Sequence, residues 1–322
     1  MPLLALVSLL TLMVLAACGA LPATPPPAGD LYQDARIFDA ATGLISSAGG
    51  EVAVEMYEFG RRDLARALAD AQRRGARVRV LLDPTVSVSV AIASVLAAGG
   101  LPVRFYPVDD KRGQIDHVKV LLADGAALVS GMNWGTGSSR NHDYGLVVRA
   151  YDEMTRLRAI FEQDWSLAAG VPLPLGVTVG PIAQTNPGSE IRTLLEGALA
   201  RARRAISAEV FAFTDQALLS GLCAAVRRGV LVRVLLDPGQ DVNLPGFRQL
   251  RRCTVAARWY PAPPGAKLHA KIGLFDGLLV LGSANWSGHG LGVNHELDVS
   301  TGASGPVAAY AARFARDWEA AA

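Results

Sequence analysis

Net charge is almost missing from this chain: 31 lysine and arginine residues stand against 29 aspartate and glutamate, leaving +2. Proteins that hold nucleic acid usually display a concentrated basic surface, so this balance permits such a partner without pointing to one. The arginine pairs Arg61-Arg62, Arg73-Arg74, Arg227-Arg228 and Arg251-Arg252 read as solvated helix faces rather than phosphate contacts. Cysteine is scarce too, and only Cys223 and Cys253 lie beyond the N-terminal region. Their spacing allows a disulfide in an oxidising compartment. Cys223, however, falls in the apolar stretch Leu218 to Val226, so two free, buried thiols are the simpler expectation. Hydrophobic residues are not lacking: at 51% of 322 residues they can fill a large core, and the length suggests about two domains or pseudo-domains.

The one long apolar run is the first 17 residues, which contain no charged side chain and read as an export signal. Leu15-Ala16-Ala17-Cys18 resembles the lipobox of bacterial lipoproteins, which implies a lipidated Cys18 and a membrane-anchored protein of the cell envelope. A plain secretory signal or an uncleaved anchor are the alternatives. Residues 18–44 then form the lipidated cysteine and a tether, rich in proline and alanine between Leu21 and Gly29.

An internal repeat covers almost all of the remaining chain. Val-Arg-Val-Leu-Leu-Asp-Pro occurs verbatim at Val78 to Pro84 and at Val232 to Pro238, an offset of 154. Glu55 and Glu209, Tyr106-Pro107 and Tyr260-Pro261, and Phe161-x-x-Asp164-Trp165 and Phe314-x-x-Asp317-Trp318 keep nearly the same spacing. Short apolar runs ending at Gly, Pro or Asp predict buried strands in each unit. In the first they are Val52 to Phe59, Val78 to Leu82, Val103 to Tyr106, Val118 to Leu122, Ala127 to Ser130 and Tyr144 to Val148. In the second they are Ile206 to Phe213, Leu231 to Leu236, Ala256 to Tyr260, Ala270 to Phe275, Leu278 to Leu281 and Glu296 to Val299. Helices are expected over Arg61 to Arg74 and Asp215 to Arg228, each stopped by a glycine, and at the unit ends over Tyr151 to Leu167 and Pro306 to Ala320. The expected fold is α/β: two repeated sandwich units, residues 45–169 and 189–322, related by a pseudo-two-fold and joined by a linker over 170–188, each a mostly buried mixed sheet flanked by helices.

Each unit carries a histidine, a lysine two residues on and an aspartate five further: His117, Lys119, Asp124 and His269, Lys271, Asp276. Asn133-Trp134 and Asn285-Trp286 follow them. Residues two apart on a strand share a face, so each His and Lys project together. If the pseudo-two-fold brings both pairs into one pocket, the result suits phosphodiester chemistry. The lysines offer charge to phosphate oxygens, and the amides of Asn133 and Asn285 donate hydrogen bonds as charge grows in the transition state. One imidazole attacks phosphorus while the other protonates the leaving oxygen and later activates water. A carboxylate must fix the nucleophile's tautomer, and Asp143 and Glu296, at an offset of 153, are the candidates. Asp124 and Asp276 precede glycines at hairpin turns, where a structural role is at least as well motivated as a catalytic one.

These motifs, with Gly282-Ser283-Ala284-Asn285 and the acidic residues that follow, resemble the phospholipase D superfamily over residues 45 to 320. The resemblance implies a bilobal α/β fold, no cofactor and no metal, and cleavage or exchange of phosphodiesters through a phosphohistidine. It nominates His117 as nucleophile and His269 as general acid. In the first unit Ser130-Gly131-Met132-Asn133 places Gly131 where Ser283 stands, so Ser283 is expected to give the phosphate pocket a bond its counterpart lacks.

A metal site is the first rival reading, because His117, His142, His269 and His295 all lie near carboxylates, but lysines beside imidazoles repel a cation. A non-catalytic lipoprotein is the second, and the intact motifs argue against it. Phospholipid at a membrane surface is the favoured partner, with an exported nuclease or a cardiolipin synthase-like transferase as alternatives. Trp134 and Trp286 fit either an acyl-chain rim or, preferably, core packing.

Overall fold

The computed structural model describes residues 30–178 and 180–321. The expected export signal and Cys18 lie outside the described residues. The first unit runs β1 (Leu31–Gln33), α1 (Arg36–Ser47), β2 (Glu51–Met56), α2 (Arg62–Arg73), β3 (Arg77–Leu82), α3 (Ser87–Ala98), β4 (Val103–Phe105), β5 (Lys119–Ala123), β6 (Ala126–Ser130), β7 (Tyr144–Val148) and α4 (Tyr151–Leu167). The second repeats it as β8 (Ile182–Thr185), α5 (Glu190–Arg201), β9 (Ala205–Val210), α6 (Gln216–Arg227), β10 (Leu231–Leu236), α7 (Asn243–Arg252), β11 (Ala256–Trp259), β12 (Lys271–Phe275), β13 (Leu278–Gly282), β14 (Glu296–Thr301) and α8 (Ser304–Ala320).

Each unit is one seven-stranded mixed sheet, ordered β1-β7-β6-β5-β2-β3-β4 and, in mirror listing, β11-β10-β9-β12-β13-β14-β8. The strands are apolar on both faces because both are covered. Val52, Val54 and Met56 point into a core beneath α1, α2 and α3, while Ala53 between them joins a second core shared with the other unit. Ile206, Ala208 and Val210 do the same beneath α5, α6 and α7. The shared core holds Leu81, Val120, Leu235, Ile272, Tyr310 and Phe314 together, with β6 and β7 lying against β13 and β14. At about 1.5–3 kcal/mol for each large apolar side chain fully buried, this middle layer binds the two units into one body. Gly75 and Gly229, at φ +103° and +88°, end α2 and α6 in the left-handed conformation that glycine alone adopts cheaply.

Two boundaries differ from expectation. Residues 31–44 are not tether: β1 pairs antiparallel with β7 and α1 packs in the outer core. The segment expected as a linker contains β8, which pairs with β14 as β1 does with β7. Four residues between glycine and proline are too few for the pattern to show.

The cysteines are a further correction. Cys223 on α6 and Cys253 at the end of α7 form a disulfide, S–S 2.01 Å and Cα–Cα 5.5 Å. The apolar setting of Cys223 is real, yet the packing of α6 on α7 brings the second thiol to it. A Cys223→Ser/Cys253→Ser double variant is expected to lose about 2–4 kcal/mol of stability in denaturant titrations, with turnover below the transition unchanged, since the bridge lies on the outer helices.

Candidate active site

His117 and His269 lie at the seam between the units, each two residues before the strand that opens with its lysine. Two short parallel bridges hold the seam. His117 N donates to His295 O at 2.8 Å and His295 N to Ile115 O at 2.9 Å, while His269 N donates to His142 O and His142 N to Lys267 O, both at 2.8 Å. The aspartate of the repeated heptapeptide pins each segment: Asp83 accepts from Asp116 N and Asp237 from Leu268 N, each at 2.7 Å. Sequence reasoning did not assign these aspartates a role, although their verbatim repetition was the available signal.

The orienting carboxylates are exchanged between units. His117 Nδ1 lies 2.9 Å from Oε2 of Glu296 in the second unit, and His269 Nδ1 lies 2.8 Å from Oδ2 of Asp143 in the first. Neither imidazole is complete without the other lobe. With Nδ1 held by a carboxylate, Nε2 is the nitrogen left for chemistry, and that of His269 lies 3.1 Å from Lys271 Nζ. Tyr57 stands edge-on to His117 and Phe211 is tilted against His269, ring centroids 4.8 Å apart in each case. Lys119 and Lys271 each reach back to the carbonyl of the histidine two residues earlier and lie 5.0 Å from those same aromatic rings.

Burial dominates the electrostatics. It pulls the Lys119 ammonium down to about 7 and Lys271 to about 8. His117 falls to about 4, burial and the two lysines outweighing Glu296, and His269 falls well below its ordinary value for the same reasons. His117 is therefore neutral at pH 7, its Nε2 lone pair available for attack. Burial lifts the Asp143 carboxyl to about 7. It also opposes ionisation of Glu296, but His117, Lys119 and Ser283 overcome it and hold that carboxyl below its ordinary value.

A model of the domain family described as "Cardiolipin synthase, PLD-like domain" matches twice, over residues 42–165 and 195–318. The chain belongs to the phospholipase D superfamily. Cardiolipin synthase A from Escherichia coli O157:H7 is 27% identical over 282 residues, and the one from Escherichia fergusonii equally so. The match covers 74% of this chain but 57% of those proteins. Among solved structures, phosphatidylserine synthase from Haemophilus influenzae Rd KW20 superimposes with a TM-score of 0.71 at 10% identity, over 91% of this chain and 86% of that one. Polyphosphate kinase from Porphyromonas gingivalis gives 0.61 at 17%, over 84% and 44%. These two likenesses show the bilobal fold.

Within that superfamily fold the remaining candidates fall into place. Asp124 and Asp276 lie at the opposite ends of β5 and β12 from the histidines. Asp124 accepts from the backbone of Gly49, Gly50 and Glu51, and Asp276 from Arg203, Arg204 and Ala205, at 2.7–3.0 Å. They close turns and do not reach the site. The Ser283 hydroxyl donates to Glu296 Oε2 at 2.5 Å and accepts from Leu297 N at 3.0 Å, so it aims the carboxylate that holds His117. Asn294, unassigned from sequence, also donates to Glu296, at 3.1 Å. In the first unit a Cβ on Gly131 would fall 2.4 Å from Asp143 Oδ1, so the shorter Asp143 occupies the space that Ser283 fills opposite. Asp143 takes its second bond from Tyr144 N at 2.8 Å.

Asn133 is partly committed, its Nδ2 donating to Glu58 at 3.0 Å, where the second unit has Ala212. Trp134 and Trp286 are 1% exposed and meet Phe59 and Phe213 edge-on at 5.0 and 5.1 Å, which makes them core residues and not a rim. The arginine pairs sit at helix ends, as Arg73 does with its side chain 78% exposed.

Proposed function

We propose that this protein cleaves phosphodiesters of membrane phospholipids through a phosphohistidine. His117 Nε2 attacks phosphorus, the P–O bond to the head group breaks, and His269 gives that oxygen its proton. His269 then takes a proton from water or an alcohol, whose oxygen attacks the same phosphorus and releases His117. The lysines hold the non-bridging oxygens. One observation carries the reading: two imidazoles, each with Nδ1 fixed by the other lobe's carboxylate, flank a seam lined by two buried lysines. The assignment of attack to His117 draws support from Glu296, which His117, Ser283 and Asn294 hold by side-chain hydrogen bonds, where Asp143 has one side-chain partner.

Three features support lipid as the substrate. The curated relatives are named as cardiolipin synthases. A net charge of +2 gives little grip on a polyanion. Exposed aliphatic pairs, Val88 with Val90 and Val242 with Leu244, stand at the starts of α3 and α7, flanking Ser89 and Asn243, which bond the backbone carbonyls of Tyr57 and Phe211 beside the two histidines. Export, with a lipid anchor at Cys18, belongs to the same proposal and is supported by the disulfide, a bond that persists in oxidising compartments. Among the described residues no helix is long and apolar enough to cross a membrane.

Vesicles of phosphatidylcholine and of cardiolipin, with and without glycerol, should be incubated with the purified protein beside single-stranded DNA. Phosphatidic acid, or a glycerol-exchanged lipid, is the expected product. The exchanged lipid would mark alcohol capture, as the synthase relatives' names suggest. DNA cleavage without any lipid product overturns the lipid assignment.

The pH profile has a definite sign. Lysines with depressed values lose their protons as pH rises through about 7 to 8, removing charge from the phosphate site, whereas His117 stays neutral down to about 4. Thus kcat/KM on a soluble diester is expected to fall above pH 7, and a profile still rising at pH 9 contradicts this electrostatic account.

A further inference from the structure

His142 and His295 each precede an orienting carboxylate, and they occupy equivalent buried pockets with different contents. His142 lies among Asp34, Glu209 and Asp317; His295 lies among Glu55, Asp116 and Asp164. Of the buried acid oxygens around His142, only Glu209 Oε1 lacks a hydrogen-bond partner among the described residues. Arg313 reaches Asp34 at 3.0 Å and Asp317 at 2.7 Å, and the Tyr144 hydroxyl donates to Glu209 at 2.6 Å. The repeat places Ile160 where Arg313 stands, Leu297 where Tyr144 stands, and Asp116 where Leu268 stands. Each pocket therefore holds three carboxyls, but the His295 pocket has two donors fewer than its twin. Glu55, Asp116, Asp164 and His295 are all 0% exposed, and both Glu55 oxygens and Asp116 Oδ2 have no hydrogen-bond donor among the described residues. Carboxylates that deep in a protein require a compensating charge or ligand.

We propose that Glu55, Asp116 and His295 bind a divalent first-row cation, Zn²⁺ or Mn²⁺, which supplies the charge that Arg313 supplies in the other pocket. His295 Nδ1 lies 2.8 Å from the Asn186 carbonyl, so Nδ1 carries a proton, and Nε2 faces Asp164 Oδ2 at 3.1 Å; the ion would displace the proton these two share and take the Nε2 lone pair, the arrangement common to metal-bound imidazoles. The Tyr106 ring, stacked at 4.6 Å, fixes the imidazole plane. Nε2 and Glu55 Oε1 are 3.4 Å apart, about the edge of a tetrahedron with bonds of about 2.1 Å. One ligand atom from each of the three residues lies within 4.8 Å of the others. Asp164 Oδ2, 3.1 Å from the same Nε2, is placed to complete the set. A nitrogen with several carboxylate oxygens suits zinc or manganese. The partners of His295 include no lysine, so the repulsion that bars a cation from His117 and His269 does not operate here. The ion's role is structural, since His295 forms the seam bridge to His117 and precedes Glu296.

The full chain should be analysed by inductively coupled plasma mass spectrometry as purified, and again after unfolding in denaturant with chelator and refolding with ZnCl₂, with MnCl₂, or with neither. Wild type is expected to hold about one ion per chain and to melt higher when refolded with the metal. Asp116→Leu, which installs the second unit's residue, should hold about a tenth as much or less and melt at the same temperature with or without metal. Glu209→Gln, in the twin pocket, should keep its ion. A wild-type protein that holds neither metal after refolding, with an unmoved thermal midpoint, overturns the proposal and leaves Glu55 and Asp116 sharing a proton. Should Asp116→Leu fail to fold, the wild-type metal count and thermal shift decide alone.

Discussion

In the His117→Ala enzyme, hydrolysis of bis(p-nitrophenyl) phosphate falls by about 10³-fold or more, and His269→Ala suffers a comparable loss. Both proteins retain the wild-type circular dichroism spectrum. The two losses do not add in the double variant, because a full turnover needs both imidazoles on the same phosphorus. The variants also part company in a single-turnover experiment. His269→Ala keeps its nucleophile and accumulates an acid-labile phosphohistidine on His117 from a diester with a good leaving group, while His117→Ala accumulates none. Wild-type rates in both single variants would end the mechanism. A phosphoryl group on His269 would keep the site and exchange the roles.

Gly131→Ser has an effect nearly as large and tests the geometry from the other side. The new Cβ would fall 2.4 Å from Asp143 Oδ1, so the carboxylate must swing away from His269. Loss of the fixed tautomer is expected to lower kcat by about 10²-fold or more, by analogy with the removal of an orienting carboxylate in other histidine-dependent sites. The second unit already shows how a serine is accommodated there, with Ser283 bonded to the longer Glu296 at 2.5 Å. Gly131→Ser combined with Asp143→Glu rebuilds that arrangement and should recover at least about 10-fold of the lost rate, a coupling beyond the additivity of independent sites. A double variant no better than the Gly131→Ser single shows that the two positions do not compensate each other.

The sheets could be read from sequence because their strands are buried on both faces: continuous runs such as Val78 to Leu82 have no other use, and a second copy 154 residues later repeats each one. Helix α4 was legible end to end for the same kind of reason, an amphipathic pattern over Tyr151–Leu167. Helix α3 was not, since Ser-Val-Ser-Val-Ala-Ile-Ala-Ser-Val-Leu-Ala-Ala is apolar nearly all round and rich in β-branched residues, which blurs the helical period. Helix α7 carries Pro245 and Gly246, and β1 and β8 are three and four residues long. At the site, the motif spacing named the histidines, lysines and both carboxylates. It did not show that Glu296 serves His117 and Asp143 serves His269, because that exchange is a property of how the units dock. The disulfide and the unlike His142 and His295 pockets were hidden for the same reason: each joins segments far apart in the chain.

A crystal structure of the protein with orthovanadate tests the convergence of the two lobes most directly. The expected result is one vanadate at the seam, its vanadium at bonding distance from His117 Nε2, its apical oxygen hydrogen-bonded to His269 Nε2, and its equatorial oxygens contacted by Lys119 and Lys271. A vanadate bound by one lobe alone, with the other imidazole turned away from it, contradicts the account.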